Sequence, residues 1–254
     1  MTKDDEYYVG TCTHVNEDNF EYELSYPRRI SWLKSMEKNG LRVKVALLEG
    51  KHAGFLYIMP IEINPWPIKG KDLMVFPCLV SQSKFSKKGI GTELIKAAEE
   101  ETKRQNRKGI ATMGYFWDFW FMPAKYFLKM GYKLAEKRNN QAILWKQFSQ
   151  IAEAPHFRKE NYNFKPIKGK IVIDLFWNRF CLTSDVEAQR VREVVSEYGN
   201  EVILNEFSAV NQKSLQQYGI ERRIYVNGEI IEVGPEIEKS KLEESINNAL
   251  NKLN

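Results

Sequence analysis

Between an apolar, strand-like run, Leu73–Ser81, and a helix-like run, Glu93–Gln105, the chain carries Phe85-Ser86-Lys87-Lys88-Gly89-Ile90-Gly91-Thr92. A glycine-rich turn leading from a strand into a helix constrains this chain more than any other stretch. The two glycines let the backbone turn tightly and leave no side chain in the way. The first N–H groups of the following helix then point outward together. With the positive end of the helix dipole they form a site for a phosphate or pyrophosphate. Lys87 and Lys88 add positive charge. Taken alone, the turn also suits an ordinary helix start, so its meaning depends on the elements around it.

Those elements alternate. A partial 3.6-residue stripe over Pro27–Lys38 (Ile30, Leu33, Met36) predicts a first helix, ended by Asn39-Gly40. Arg42–Leu48 and Gly54–Met59 read as strands joined through Glu49-Gly50-Lys51 as a hairpin. Pro65, Pro67 and Gly70 interrupt regular structure before Leu73–Ser81. Ile110–Gly114 reads as a strand, Pro123–Met130 as a short helix, and Tyr132–Lys137 and Ala142–Phe148 as two more strands. Ser149–Lys170 holds Pro155, Pro166 and Gly169 with weak periodicity, a linker that packs on a neighbour through Phe157, Tyr162 and Phe164. A fresh alternation follows: strand Ile171–Phe176, helix Val186–Tyr198 with Asp185 as N-cap, strand Val202–Phe207, helix Asn211–Tyr218. Strands Ile224–Val226 and Glu229–Val233 flank the hairpin signal Asn227-Gly228, and helix Lys239–Leu253 closes the chain. The chain thus divides into residues 1–148, a linker 149–169, and a βαβαββα domain, 170–254.

Composition narrows the function classes. With 43% hydrophobic residues in 254, enough apolar surface exists for a core, which excludes a wholly disordered chain. The longest apolar runs, Phe55–Ile61 and Leu73–Val80, fall far short of the roughly 20 residues that span a bilayer. The first residues, MTKDDEYY, do not read as a secretory signal. Three widely spaced cysteines, Cys12, Cys78 and Cys181, fit a reducing cytoplasm better than a disulfide framework. Residues 1–148 carry a net charge of +7 and the remainder −2, so the first part suits an anionic ligand, or simply presents a solvated face of mixed charge. The basic residues are dispersed and show no helix-turn-helix, zinc-finger or RRM signature, which argues against nucleic acid as partner. His14, His52 and His156 lie too far apart to suggest a zinc motif, so no metal is expected.

The order of helix, hairpin, strand, KKGIG turn, helix and strand, followed by Ala124-Lys125-Tyr126-Phe127-Leu128-Lys129-Met130-Gly131-Tyr132, resembles the GNAT acetyltransferase family. That family's pyrophosphate loop reads Arg/Gln-x-x-Gly-x-Gly/Ala, and its later segment reads like Phe-Tyr-x-x-x-Gly-Phe. The stretch Trp177-Asn178-Arg179-Phe180-Cys181 is similar to the Trp-Asn-x-Phe-Cys of two-domain YoaP-like members, which carry a thioredoxin-like tail. The resemblance implies an α/β (α+β) architecture: a mixed-sheet acyl-CoA-binding domain followed by a small thioredoxin-like domain. It implies acetyl-CoA as co-substrate. Met74–Val80 would be the strand that splays from its neighbour, and backbone groups near Leu79 and Val80 would pair with pantetheine and face the thioester carbonyl. The N–H groups from Lys87, Lys88, Gly89, Ile90 and Gly91 through Thr92 would hold the pyrophosphate.

Three residues depart from the family pattern. Ser86 stands where Arg or Gln is usual, although backbone N–H groups make most of the loop's contacts. Trp120 stands where many members place an Asn near the cofactor. Phe127 takes the place of the tyrosine credited with protonating the leaving thiolate. Tyr126 is adjacent but points about 100° away on a helix, which leaves it as either a general acid or a half-buried core aromatic. For the base that deprotonates an incoming ammonium, the candidates are Asp118, whose pKa its aromatic neighbours would raise, and Glu62 and Asp72, which flank the Pro-rich loop; each also reads, and more readily, as a solvated surface carboxylate. The FWDFWF run around Asp118 reads either as core or as the wall of a pocket for an apolar or aromatic amine.

In the tail, Cys181-Leu182-Thr183-Ser184 places a thiol at a helix start, where the dipole favours thiolate. The resolving cysteine is missing, and Arg222 stands where the thioredoxin-like pattern has a cis-proline, five residues before Asn227. Arg222 and Arg223 are expected to form a charged corner near Cys181. The first reading is therefore a cytoplasmic N-acetyltransferase acting on the amine of a small molecule or peptide by direct attack in a ternary complex. A non-catalytic acyl-CoA-binding protein, or a thiol module acting through Cys181, are the alternatives.

Overall fold

The computed structural model of the protein describes residues 1–117, 121–210, 212–231 and 236–253. Its contacts group into two compact units: Met1–Glu17, Leu33–Asn64 and Ile68–Arg158 in one, and Asp18–Trp32, Pro65–Pro67 and Lys159–Asn254 in the other. This grouping departs from the linear division expected from sequence at residues 18–32 and 65–67, and it divides the expected linker 149–169 after Arg158. In the second unit Arg29 donates from Nε to the Phe180 carbonyl at 2.7 Å, Arg28 pairs with Asp185 at 3.1 Å, and Arg190 grips Glu21 with Nε and Nη2.

The chain runs α1 (Lys3–Thr11), α2 (Phe20–Met36), β1 (Arg42–Leu48), β2 (Lys51–Pro60), β3 (Ile68–Lys69), β4 (Leu73–Ser81), α3 (Ile90–Arg104), β5 (Gly109–Tyr115) and α4 (Ala124–Lys129). It continues through β6 (Lys133–Arg138), β7 (Gln141–Gln147), β8 (His156–Phe157), β9 (Ile171–Trp177), α5 (Leu182–Glu197), β10 (Val202–Ser208), α6 (Gln212–Tyr218), β11 (Arg223–Val226), β12 (Glu229–Ile230) and α7 (Lys239–Asn251). The helix expected from Pro27 starts seven residues earlier. Asn19 Oδ1 accepts the Glu21 N–H at 2.9 Å and caps it there, so Pro27 sits inside the helix.

The first unit is built on a six-stranded sheet, ordered β1-β2-β4-β5-β7-β6. Only β4 and β5 are parallel; the other neighbours are antiparallel. Glu49 and Gly50 both take positive φ (52° and 74°), the requirement of the tight hairpin turn that joins β1 to β2. Helix α3 packs across β1, β2, β4 and β5. A Cβ on Gly54 would come within 3.0 Å of Ile90 and 2.4 Å of the Val80 carbonyl, so only glycine admits α3 this close. Opposite faces of β4 are taken by successive residues. Leu79 lies on the α3 side, and Val80 lines a small cavity together with Tyr8, Val9 and Cys12 of the α1 segment.

A buried charge cluster ties α3 to β1. Glu101, 2% exposed, accepts from Lys44 Nζ and Gln105 Nε2, both at 2.8 Å, and pairs with Arg104. Burial disfavours its charge, but these donors hold its carboxyl down to about 2. Because the folded-state value lies below the unfolded one, the stabilisation is complete above about pH 4.5 and is lost as pH falls toward 2. Glu101→Gln is therefore expected to cost about 3 kcal/mol at pH 7 and to flatten the acid side of the stability curve. Urea melts of both proteins between pH 2.5 and 7 check this, and parallel curves would contradict it.

The second unit's sheet is ordered β10-β9-β11-β12, with β9 and β10 parallel and β11 and β12 antiparallel. Its apolar core joins Ile171, Ile173 and Leu175 of β9 to Val191 and Val194 of α5 and Leu242 and Ile246 of α7. An aromatic cluster, Phe176, Tyr225, Phe207, Tyr218 and Tyr162, packs separately. The expected turn is present, with Asn227 at φ 48° and Gly228 at 83°. Phe164 packs so closely on Gly228 that a Cβ there would come within 2.8 Å. Phe157 instead serves the first unit, where β8 pairs with β3. Asp185 is not the N-cap of α5. Cys181 holds that position, and Asp185 lies inside the helix, fully buried, between Arg28 and Arg179.

Candidate active site

The site of interest in the first unit begins with a proline. Across from β2, Tyr57 pairs with Cys78 and Met59 with Val75, so Phe76 and Pro77 together oppose Ile58. Pro77 has no N–H to give the ladder, and a bulge is where a strand tolerates it. Beyond this bulge β4 leaves β5. The two pair only at Leu73–Gly109, Met74–Ile110 and Val75–Ala111. Where the ladder opens, Thr112 Oγ1 donates to the Phe76 carbonyl at 2.8 Å and satisfies it. Beta-4 thus splays from its neighbour, as expected for Met74–Val80.

The register decides which backbone groups of the splayed segment face outward. Gln82 N–H donates to the Ala53 carbonyl at 2.9 Å, and the pairs Gly54–Ser81, Phe55–Val80, Leu56–Leu79 and Tyr57–Cys78 follow without a break. Hydrogen-bonded and open pairs alternate in an antiparallel ladder. Val80 therefore gives its N–H and C=O to Phe55, while Leu79 and Ser81 turn theirs toward the side β5 has vacated. Of the two residues read from the sequence, Leu79 offers its backbone to the cleft and Val80 only its side chain; Ser81 joins Leu79.

The loop after β4 completes the cleft. Gly89 takes φ 77° as the N-cap of α3, with no side chain capping the helix. The first helical bond runs from the Glu93 N–H to the Gly89 carbonyl at 3.1 Å. The N–H groups of Gly89, Ile90, Gly91 and Thr92 precede it and have no intrahelical acceptor. Lys87 also takes positive φ, 61°. Lys88 differs from its neighbours: its N–H donates to the Phe85 carbonyl at 3.3 Å, which leaves it only a side chain to offer. A cleft of about 510 Å³ is lined by Leu79, Ser81, Lys87, Gly89–Thr92 and Tyr126 among others. These features fit the diphosphate and pantetheine arm of a coenzyme A thioester: outward amides on β4, orphan amides and a dipole at α3, and glycines that leave room.

Tyr126 and Phe127 separate as their 100° offset requires. Phe127 is fully buried against Phe76 and Tyr132. Tyr126 lines the cleft, and its hydroxyl lies 3.3 Å from Thr92 Oγ1. It stands so near Gly91 that a Cβ there would come within 2.9 Å of the hydroxyl oxygen. Asp118 and Trp120 lie outside the described residues. Glu62 and Asp72 are at the other end of β4, about 20 Å from Leu79 at roughly 3.3 Å per residue. There Glu62 pairs with Arg107 at 3.2 Å and Asp72 with Lys108 at 2.8 Å, so neither serves the cleft. No Asp, Glu or His is found among the described residues lining it.

In the second unit, Cys181 Sγ lies 3.2 Å from Thr183 Oγ1, and its N–H donates to Asn178 Oδ1 at 3.0 Å. Arg222 donates to Thr183 Oγ1 at 3.1 Å and to the buried Glu187 at 2.8 Å. Burial disfavours the Arg222 charge, but Glu187 and the nearby Cys181 sulfur raise its pKa. Arg222 is thus part of the expected charged corner. Arg223 is not: it bonds to Glu160 at 2.9 Å and to Tyr225 at 3.3 Å. Among the described residues, no group of three or more His, Cys, Asp or Glu is arranged to hold a metal ion, and no helix is long and apolar enough to cross a membrane.

No protein-family model and no curated protein sequence matches the chain. Among solved structures, it is similar to an aminoglycoside 6'-acetyltransferase type Ii, at 18% identity and a TM-score of 0.44 over 58% of this chain and 92% of that one. It is similar to the paia N-acetyltransferase of Thermoplasma acidophilum in complex with coenzyme A, at 15% identity and a TM-score of 0.41 over 56% and 89%. It is also similar to an acetyltransferase of the GNAT family from Staphylococcus aureus Mu50, at 11% identity and a TM-score of 0.41 over 57% and 92%.

Proposed function

We infer that the protein is a GNAT-type N-acetyltransferase that uses acetyl-CoA to acetylate the amine of a small molecule or peptide. The observation that carries this reading is the splay of β4 from β5 at the Pro77 bulge, with the orphan amides of α3 at its end. Acetyl-CoA supplies an activated acyl carbon and a thiol leaving group. The Gly89–Thr92 amides hold the diphosphate, Lys87 and Lys88 add charge, and Leu79 and Ser81 pair with the pantetheine arm. The outward N–H of Leu79 donates to the carbonyl oxygen as negative charge develops there, a role worth several kcal/mol when the donor is fixed in advance. The new N–C bond forms as the C–S bond breaks. In this reading Tyr126 passes its hydroxyl proton to the departing sulfur and regains one from the attacking nitrogen as the amide forms. Tyr126→Phe is expected to lower kcat roughly 10-fold with CoA affinity within about threefold of the parent; an unchanged kcat would remove Tyr126 from proton transfer.

The second unit we read as thioredoxin-like, supported by its element order and by Cys181 at the N-terminus of α5. Lacking a second cysteine nearby in sequence, it is assigned no dithiol exchange. The lack of a carboxylate or imidazole among the described residues of the cleft favours one other reading, a non-catalytic acyl-CoA binder. A screen of primary amines and short peptides, with thiol release and the mass of the acetylated product as readouts, separates the two. Product formation supports transfer, and binding without product across the screen supports the binder.

A further inference from the structure

The register of β4 on β5 carries past the point where the strands part. Leu73, Met74 and Val75 pair with Gly109, Ile110 and Ala111, and Thr112 still reaches the Phe76 carbonyl at the same offset of 36 residues. The Pro77 bulge adds one residue to β4. Tyr115, the last residue of β5, therefore lies level with Leu79 or Val80, to within about 3.3 Å along the strand. It stands across the opening from the backbone assigned to the thioester carbonyl. Alternation fixes the side on which it projects. A Cβ on Gly114 would come within 2.9 Å of Ala124 in α4, and the Tyr126 hydroxyl of α4 stands beside Gly91 of α3, so Gly114 faces the α3–α4 side. Strand β5 pairs with β7 residue for residue through Tyr115, with no bulge to reverse the alternation. Tyr115 thus projects to the other side, where Phe55 and Val80 line a small cavity with Tyr8, Val9 and Cys12 of the α1 segment. Thr13 follows that segment and walls the large cleft itself, as does Met122, whose carbonyl accepts the Tyr115 N–H at 2.9 Å.

Trp117 turns to the same side. Its ring stacks on Tyr115 with centroids 5.1 Å apart and planes 9° from parallel, and Phe121 lies 6.0 Å from Tyr115. Phe116, between them, alternates away and meets Lys137 Nζ at 5.0 Å. Trp117 is 49% exposed, a large aromatic surface left open to water beside the cleft. We propose that Tyr115 and Trp117 form the wall that holds the body of the acceptor, and that the acceptor is an arylalkyl monoamine. This rests on the acetyltransferase reading and names its substrate class. In that reading the diphosphate amides and Tyr126 take the α3–α4 side of the opening, so the amine reaches the acyl carbon from the α1 side, past Tyr115. An aromatic body gains there from ring contacts beyond the area it buries. A linear diamine gains nothing comparable. Among the described residues lining the cleft there is no Asp or Glu to pair its second ammonium, and an unpaired charge is costly to bury. A plain alkylamine buries its chain but has no ring to stack.

The test compares kcat/KM for phenethylamine, hexylamine and diaminobutane at one pH and saturating acetyl-CoA. It is run on the wild-type protein, Trp117→Ala, Trp117→Phe and Tyr115→Leu, with CoA Kd and Tm measured alongside. All three probes are primary alkylamines of similar basicity, so the comparison reads the body rather than the nitrogen. The wild-type protein is expected to favour phenethylamine over hexylamine roughly 10-fold and over diaminobutane roughly 100-fold. Trp117→Ala is expected to bring the phenethylamine-to-hexylamine ratio down to about one, through KM rather than kcat, with the CoA Kd within about twofold of the parent. Trp117→Phe keeps a ring and is expected to retain most of the preference. An unchanged ratio in a folded Trp117→Ala protein, or a wild-type protein that acetylates hexylamine or diaminobutane as well as phenethylamine, would overturn the proposal while leaving the acetyltransferase reading in place. Tyr115→Leu gives the same readout should Trp117→Ala fail to fold. CoA binding with no product from any of the three amines would overturn the proposal together with the transfer reading, and failure of the wild-type protein to bind CoA would remove the reading at its root.

Discussion

Leu79→Pro is expected to lower kcat by roughly 100- to 1000-fold while the protein stays folded. Proline deletes one N–H and nothing else from the backbone's donor set. At Leu79 that N–H faces the cleft rather than β2, so no ladder bond is lost. Losing one fixed donor at a developing oxyanion costs about 3–4 kcal/mol, which gives the expected range. Val80→Pro is the control. Its N–H bonds to Phe55 inside the sheet, so the same change one residue along removes a ladder bond and lowers Tm. Kinetics and thermal melts on both variants check the pair. A reversed pattern, with Val80→Pro inactive but stable and Leu79→Pro unstable, would place the register one residue out.

The Gly89→Asp/Gly91→Asp double variant is expected to bind CoA at least about 1000-fold more weakly than the parent. Two effects combine. Each carboxylate sits where a diphosphate is to lie, and like charges brought together cost several kcal/mol, with 1.4 kcal/mol equal to tenfold. Gly89 also holds φ 77°, which a side chain strains, and any Cβ at Gly91 meets the Tyr126 hydroxyl at 2.9 Å. Gly91→Ala alone isolates the second effect and is expected to displace Tyr126, weakening binding far less. Calorimetric titration of CoA into the three proteins measures this, and equal affinity in all of them would show that the turn takes no part.

Much of the architecture could be read from hydrophobic period and turn chemistry. The β1–β2 hairpin at Glu49-Gly50 and the Asn227-Gly228 turn are local signals, and both stand where their residues suggest. Three features escaped for physical reasons. Helix α1 hides behind an acidic, polar stretch, although Thr2-Lys3-Asp4-Asp5 is a capping box that marks its start. The choice between Leu79 and Val80 depends on strand register, which no periodicity of β4 alone contains. It is set by the Pro77 bulge and by pairing with β2. The contact of His52 with Asp5 joins residues 47 apart and depends on helix α1, so no local pattern contains it. The Cys181 corner was partly legible: Arg222 arrives beside the thiol, while alternation along β11 sends Arg223 toward Glu160.

The most direct test of the central claim is a titration of acetyl-CoA into the intact protein, followed by backbone amide resonances. The account predicts saturable shifts for Gly89, Ile90, Gly91 and Thr92 and for Leu79 and Ser81, with smaller ones at Lys88 and Val80, whose N–H groups are already bonded. Unmoved resonances at both the turn and the splayed strand, at millimolar acetyl-CoA, would contradict it.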